Sequence, residues 1–185
     1  MAEKILVCAA WPYANGPLHL GHIAGCYLPA DIFARFNRLK GNQVLMVSGS
    51  DQHGTPITLR AEQEGTSPQA VVERFHEDFL KSWEKLGIGF DLFTTTSTKN
   101  HETAVHEIFL RLLDGGYIYK DSMPQAYCAH CQRFLPDRYI EGKCPHCGYQ
   151  GARGDQCDGC GKPLNAVELT EIRCRLCAAT PRFES

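Results

Sequence analysis

Four C-x-x-C pairs in the last third of this 185-residue chain constrain its fold more than any other feature of the sequence. They hold eight of the ten cysteines and are Cys128/Cys131, Cys144/Cys147, Cys157/Cys160 and Cys174/Cys177. Two intervening residues let both thiolates of a pair reach one metal ion, and a structural zinc ion takes four thiolates. The four pairs therefore predict two closed zinc sites that stabilise the fold and leave no coordination position for a substrate. Spacing alone leaves iron–sulfur clusters and unligated thiols as alternatives.

Composition favours metal-bound thiolates over disulfides. The net charge is -2 and 43% of the residues are hydrophobic, so the chain can bury a core. No apolar run approaches the roughly 20 residues that cross a bilayer, and the first residues lack a signal-peptide layout. The sequence therefore predicts a cytoplasmic protein without membrane contact. With two zinc ions, residues 128–185 would carry a charge of about -3, which argues against general nucleic-acid binding through bulk electrostatics.

The part of the chain before the cysteines alternates strand, loop and helix, as parallel α/β proteins do. Continuous apolar runs at residues 4–10 and 43–48 predict buried strands. Periodic apolar positions predict helices, at about residues 23–40, 68–86 (with Ser67 as N-cap) and 100–115.

Smaller signals refine this pattern. Pro29 predicts a kink or a later start of the first long helix, because proline has no N–H. A further helix is expected after residues 49–55, with Thr55 as its N-cap and Pro56 in its first turn. Residues 117–123 predict a strand that leads into the cysteine region, with a domain boundary near 120–127.

Two loops are expected at the same end of the sheet, because each leaves the carboxyl end of a predicted strand. They are residues 11–22 and 49–55, and parallel sheets bind ligands there, near helix N-termini. In the first loop, His19-Leu20-Gly21-His22 opens a helix. Glycine permits a close backbone approach, and imidazoles can donate hydrogen bonds to phosphate oxygens. By spacing alone, this histidine pair is equally compatible with a metal site or an ordinary helix surface.

The residues around both loops resemble those of a known family. The stretch AAWPYANGPLHLGH, residues 9–22, is similar to the first ATP-binding signature of class I aminoacyl-tRNA synthetases. SDQHGTPI, residues 50–57, resembles the methionine enzymes, whereas the branched-chain enzymes usually have leucine where Thr55 stands. FLPDRYIEGKCPHCG, residues 134–148, completes the resemblance to the methionyl-tRNA synthetase family.

The resemblance implies an α/β fold in two parts. Residues 1–124 would form the first half of a Rossmann-like, nucleotide-binding catalytic domain with a parallel sheet. Residues 125–185 would form an inserted zinc-knuckle module, the connective peptide. The second half of the sheet, a Lys-Met-Ser-Lys-Ser loop and the anticodon-binding domain would lie further on. This chain would then be an N-terminal fragment that we expect to be inactive alone.

The implied activity is that of a methionine–tRNA ligase. L-methionine would react with ATP, bound with Mg²⁺, to give methionyl-adenylate, and the acyl group would pass to tRNA(Met). His19, Gly21 and His22 would bind ATP, and the two histidines would stabilise charge on the transferring phosphoryl group. Two alternatives remain open, namely another class I synthetase of the Ile, Leu or Val type and a non-catalytic zinc-binding structural or interaction module.

The resemblance also assigns the methionine pocket. Asp51 would accept the α-ammonium group of methionine, and Ala10, Trp11 and Tyr13 would line the pocket. The family often has leucine where Trp11 stands. Ordinary loop packing is the alternative for Trp11 and Tyr13, and helix capping is the alternative for Asp51. A loop-structuring role is expected of His53.

For the metals, the resemblance implies a nested pairing. The inner site would contain Cys144, Cys147, Cys157 and Cys160. The outer site would contain Cys128, Cys131, Cys174 and Cys177. Pairing of sequence-adjacent motifs is the alternative that spacing does not exclude.

Overall fold

A computed structural model describes residues 2–184 of the chain. The chain separates into two compact units, Met1–Asp114 and Gly115–Ser185. The division of function expected between residues 1–124 and 125–185 stays a prediction. Within the described residues, no helix has the length and apolar character needed to cross a membrane.

The first unit is a parallel α/β structure, which confirms the predicted fold class. Its sheet has the order β1-β2-β3 and both pairings are parallel. The strands are β1 (Lys4–Cys8), β2 (Gln43–Ser50) and β3 (Leu92–Thr95). The α-helices are α1 (Leu20–His22), α2 (Leu28–Leu39), α3 (Thr55–Glu64), α4 (Pro68–Leu86) and α5 (Lys99–Asp114).

Pro29 modifies the first helix as the sequence predicts. A π-helical turn, Ile23–Tyr27, joins α1 to α2, and the Leu28 N–H donates to the carbonyl of Ile23. Pro29 follows this turn as the second residue of α2, so the wider π-helical turn lies where the proline ring and its missing N–H would disturb regular α-helical bonding. The chain therefore remains helical from residue 20 to residue 39, with a wider turn just after the two histidines.

The two faces of the sheet differ in their cover. One face packs into a core that contains Met46 of β2 and the aromatic residues Phe79 and Trp83 of α4. On the opposite face, Leu6, Leu45 and Leu92 are 63%, 58% and 55% exposed. The register places Leu6 opposite Leu45, and Leu92 opposite the residue two positions further along β2. These three side chains form an uncovered apolar surface, the leucine face.

One strand was missed from the sequence, and one predicted strand was wrong. Strand β3 was not predicted, because the run LFTT is short and half polar. Residues 117–123 contain no strand. A strand requires a neighbour for its backbone N–H and C=O groups, and no described residue pairs with this segment.

The second unit is built from two small antiparallel sheets, with the orders β5-β4-β9 and β7-β6-β8. The strands are β4 (Gln125–Cys128), β5 (Arg133–Phe134), β6 (Ile140–Lys143), β7 (Ala152–Arg153), β8 (Thr170–Cys174) and β9 (Arg182–Glu184). Its buried side chains include Leu135, Tyr139 and Ile140, together with several cysteines. Strands of two to five residues bury little apolar surface, so a unit of this kind depends on additional links such as metal ions.

Candidate functional site

The two loops beyond β1 and β2 are joined by backbone hydrogen bonds. The Asp51 N–H donates to the carbonyl of Pro12 at 2.9 Å, and the Ala14 N–H donates to the carbonyl of Asp51 at 2.8 Å. Tyr13 and Asp51 thus form a parallel bridge. The loops are neighbours, as the topology predicts, because this bridge continues the pairing of β1 with β2 past the last strand residues.

The two histidines of the first loop cap each other. His19 is the N-cap of α1, and its Nδ1 accepts the His22 N–H at 3.3 Å, while the Nδ1 of His22 accepts the His19 N–H at 3.4 Å. Their rings stack with centroids 3.6 Å apart. Since each Nδ1 is an acceptor, the ring proton of each imidazole lies on Nε2, which remains available as a donor. Burial, with a smaller effect of His19, lowers the pKa of His22.

Gly21 lies against this histidine pair. A Cβ at this position would lie 3.0 Å from the ring of His19, so a larger residue would push on the imidazole. The glycine therefore protects the ring arrangement, a role that adds to the close ligand approach expected from the sequence.

Asp51 lines two cavities, of about 670 and 350 Å³. The smaller one is lined by Trp11, Asp51, Thr96 and His101. The carboxylate of Asp51 accepts the N–H of His53 at 3.3 Å. Asp51 does not cap α3, because the N-cap of that helix is Gly54 and no side chain bonds to it. A half-buried carboxylate at the end of a central strand can bind a cationic group, which the capping alternative does not explain.

The predicted N-cap at Thr55 was wrong by one residue. Gly54 occupies that position with a φ of 120°, and a Cβ there would collide with the hydroxyl group of Tyr13. Only glycine combines this backbone conformation with so close a neighbour. Thr55 is instead the first residue of α3, followed by Pro56 as predicted.

The predicted pocket residues take different positions. The ring of Trp11 lies on Gly49, where a Cβ would come within 2.8 Å of it, and its centroid is 6.2 Å from that of His101. Ala10 is exposed, and its carbonyl accepts the hydroxyl of Ser48 at 3.3 Å. Trp11 therefore lines a cavity with Asp51, whereas Ala10 lines neither of the two cavities at Asp51.

Tyr13 and His53 hold the two loops together. The Tyr13 hydroxyl donates to the carbonyl of His53 at 2.7 Å, as the loop-packing alternative implies. The Nε2 of His53 lies 3.3 Å from the carbonyl of Thr96. These contacts support the loop-structuring role expected of His53.

Two further residues line the same cavity and were not predicted from the sequence, Thr96 and His101. Thr96 follows β3, and its hydroxyl accepts the Gln52 N–H at 2.9 Å. His101 lies in the first turn of α5. The missed strand explains the omission, because a third parallel strand would have directed attention to the hydroxyl-rich loop after its carboxyl end.

His19, Gly21 and His22 are not among the described residues that line the two cavities at Asp51. They form their own exposed group at the start of α1. The site thus has two parts, a pair of imidazole donors and a carboxylate beside a cavity, on loops that the bridge at Tyr13 connects.

In the second unit, the cysteine sulfurs gather into two groups that match the nested pairing and not the sequence-adjacent one. Within each group, one ligand atom from each cysteine lies within 4.8 Å of the others. The groups are Cys128, Cys131, Cys174 and Cys177, and Cys144, Cys147, Cys157 and Cys160. Sulfur–sulfur distances are 3.5 and 3.9 Å in the first group and 3.6 and 3.9 Å in the second. Tetrahedral zinc with bonds of about 2.3 Å requires about 3.8 Å between sulfurs, so both groups fit that ion.

All four C-x-x-C turns share one backbone conformation. The residue after the second cysteine has a positive φ in each, and these residues are Gln132, Gly148, Gly161 and Ala178. Three of the turns are closed by the N–H of that residue, which donates to the carbonyl of the first cysteine; in the turn at Gly148 the distance is 3.0 Å. In the turns that begin at Cys128 and Cys144, burial opposes ionisation. Backbone N–H groups and neighbouring thiols outweigh it and hold both pKa values at about 7.

The chain matches known proteins along almost its whole length. A family model described as tRNA synthetases class I (M) matches residues 5–185. Methionine–tRNA ligases from Dehalococcoides mccartyi and Roseiflexus sp. are 62% and 64% identical to the chain over 183 residues. These alignments cover 99% of this chain, but 33% and 31% of the two ligases. The chain thus spans about a third of the length of the curated relatives that it matches.

Solved structures with similar folds also cover most of the chain. A Mycobacterium tuberculosis methionyl-tRNA synthetase in complex with methionyl-adenylate has a TM-score of 0.66 and 28% identity, over 88% of this chain and 30% of that one. A LeuRS–tRNA–LeuAMS ternary complex from Agrobacterium radiobacter has a TM-score of 0.65 and 28% identity, over 82% of this chain and 20% of that one.

Proposed function

The chain belongs to the class I (M) tRNA synthetases, and from this premise we propose that it supplies the N-terminal part of the catalytic domain of a methionine–tRNA ligase. The position of Asp51 carries the proposal. Its carboxylate lies at the carboxyl end of the central strand, beside a cavity lined by Trp11, and its backbone is bonded to the loop that leads to the histidine pair.

In this proposal, Asp51 binds the α-ammonium group of L-methionine. A charge-assisted hydrogen bond orients the amino acid so that its carboxylate can attack ATP. The indole ring of Trp11 lines the side-chain pocket, where contact with a thioether sulfur is favourable. Ala10 and Tyr13 then act mainly through the backbone and hydroxyl contacts that fix the loop.

His19, Gly21 and His22 form the ATP side of the proposed site. A carboxylate oxygen of methionine attacks the α-phosphorus of ATP, and pyrophosphate leaves. The Nε2–H groups of the two histidines donate to phosphate oxygens as negative charge develops, and bound Mg²⁺ supplies further charge neutralisation. The methionyl group then passes from the adenylate to a hydroxyl group of tRNA(Met), and AMP is released.

Each cysteine group binds one Zn²⁺ in this proposal. Four thiolates leave no open coordination position, so both ions stabilise the second unit and take no part in the chemistry. We place the protein in the cytoplasm, where ATP and tRNA are available and thiolates stay reduced.

Amino-acid-dependent ATP–pyrophosphate exchange tests the proposal. In the full polypeptide that contains these residues, methionine should support exchange, while leucine and isoleucine should not. Exchange with leucine or isoleucine would favour the second candidate, another class I synthetase, which the LeuRS neighbour makes reasonable on fold. Absence of exchange with all three amino acids would favour a non-catalytic zinc module. Metal analysis of the purified protein should give two zinc ions per chain.

A further inference from the structure

A buried polar network lies directly behind Asp51. Ser50, the last residue of β2, is 0% exposed, and its hydroxyl lies 2.8 Å from Nδ1 of His76 on α4. The side-chain amide of Gln52, itself 9% exposed, donates to the same hydroxyl at 3.2 Å. The residues on both sides of Asp51 therefore place their side chains in one hydrogen-bonded group that also contains a histidine.

The donors and acceptors of this group indicate which atom donates in each hydrogen bond. The Ser50 hydroxyl oxygen accepts from the amide of Gln52, so its single proton is available for the Nδ1 of His76. When the hydroxyl donates this proton to Nδ1, His76 is neutral and carries its own proton on Nε2. Burial lowers the pKa of His76, and this effect exceeds the opposite influence of Glu77, in agreement with a neutral ring.

His76 is itself held in place by the core. Its ring stacks against Phe93 of β3, with centroids 5.7 Å apart. Its neighbour Phe75 on α4 is buried in the core of the first unit. The histidine thus connects the rigid helix–sheet core to the turn that presents Asp51.

We propose that His76 is a positioning residue for the amino-acid substrate: through Ser50 it fixes the 50–52 turn, and thereby the direction in which Asp51 presents its carboxylate to the substrate's ammonium group. The inference rests on the proposed function, because it assigns Asp51 to the amino acid. It concerns a residue 25 positions away in sequence that lines neither of the two cavities at Asp51. A loss of this network should weaken amino-acid binding much more than nucleotide binding.

Steady-state exchange kinetics on the full polypeptide test the inference with three variants. Ser50→Ala removes the hydroxyl, and His76→Gln moves the polar group towards the Nε2 position. Each should raise the KM for methionine about tenfold, the equivalent of one buried hydrogen bond, with kcat and the KM for ATP within about twofold of the unmodified protein. His76→Asn places an amide oxygen near the position of Nδ1 and should restore the KM for methionine.

Ser82→Ala is the matched control. Ser82 lies on the same helix, and its hydroxyl donates only locally, to the carbonyl of Asp78 at 2.7 Å. This variant should behave as the unmodified protein does. An unchanged methionine KM in Ser50→Ala and His76→Gln overturns the inference, and so does a His76→Asn variant that is impaired as strongly as His76→Gln.

A spectroscopic measurement separates this inference from the proposed function. In ¹⁵N-histidine NMR of the full polypeptide, Ser50→Ala should shift the Nδ1 resonance of His76, and Ser82→Ala should not. An unchanged resonance in Ser50→Ala overturns the network even if the protein activates methionine. A missing exchange activity in the unmodified protein contradicts the proposed function alone, while the resonance still decides whether the network exists.

Discussion

At the scale of single residues, the site depends on close approaches that no local pattern reveals. The ring of Trp11 rests on Gly49, and the strand beside it leaves no room for a side chain. The SDQHGTPI stretch allowed Asp51 to be assigned from sequence, because the resemblance places it in a known motif. His76 could not be found in this way, since its partner Ser50 lies 26 residues earlier and only the folded core brings the two together.

Substitution of Gly49 tests the contact between the backbone of β2 and the ring of Trp11 in the proposed pocket. In Gly49→Ala the new Cβ would lie 2.6 Å from the carbonyl of Thr94 and 2.8 Å from the ring of Trp11. Because the strand backbone cannot yield easily, we expect a loss of about 1–3 kcal/mol in the free energy of unfolding and a displaced indole ring. Denaturant unfolding followed by tryptophan fluorescence measures both effects. Gly89→Ala, whose Cβ would enter open space, should show neither.

A pair of substitutions at His22 separates capping from catalysis. Asparagine can still accept the His19 N–H, so His22→Asn keeps the cap but removes the Nε2 donor. We expect the rate of methionine-dependent exchange to fall about 10²-fold, with the KM for methionine nearly unchanged. His22→Gln, which retains a donor near the Nε2 position, should lose less. Equal losses in the two variants would argue against a role for that donor.

At the scale of the elements, the sequence predicts most of the parallel unit because its signals are local. Apolar runs located β1 and β2, and Ser67 caps α4, with its hydroxyl accepting the Ala70 N–H at 3.2 Å. Strand β3 was missed because its pairing with β2, and not its composition, makes it a strand. The segment 117–123 has suitable composition but no pairing partner among residues 2–184. Pairing across long sequence separations is the information that a single sequence lacks.

Because the cysteine turns share one backbone conformation, we expect two reverse substitutions to have different effects on stability. Gly148 and Ala178 occupy equivalent positions, with φ values of 75° and 61°. A residue with a Cβ costs about 1–2 kcal/mol in this region, so Gly148→Ala should destabilise the chain, measured in the presence of zinc, by about 1 kcal/mol. Ala178→Gly should cause no loss. Thermal unfolding of both variants checks the prediction, and a destabilised Ala178→Gly would contradict it.

At the scale of the whole molecule, the two units differ in what stabilises them. The first has an aromatic core around Phe79 and Trp83, whereas the second buries cysteines among very short strands. In addition, the leucine face is an exposed apolar surface of the first unit. Other polypeptide segments or subunits usually cover surfaces of this kind.

Metal removal should therefore affect the units unequally. We expect a strong chelator to abolish amide-exchange protection in β4–β9, because metal binding supplies the folding free energy of such small modules. Protection in β1 and β2 should persist, because their unit contains no cysteine group among the described residues. Hydrogen-exchange mass spectrometry before and after chelation measures both regions. Persistent protection of β4–β9 without metal would contradict this dependence.

The bridge between Tyr13 and Asp51 has a thermodynamic consequence for the affinities of the two substrate positions. Any tilt of Asp51 on meeting an ammonium group must pass through Pro12 and Ala14 into the loop that ends at His19. Occupancy of one substrate position should then alter affinity at the other, and linkage requires the same factor in both directions. Calorimetric titration of the full polypeptide with a non-hydrolysable ATP analogue, with and without methionine, and then in the reverse sequence, should return one common ratio different from unity. If the affinity for each ligand is the same with and without the other, the bridge does not couple the two positions.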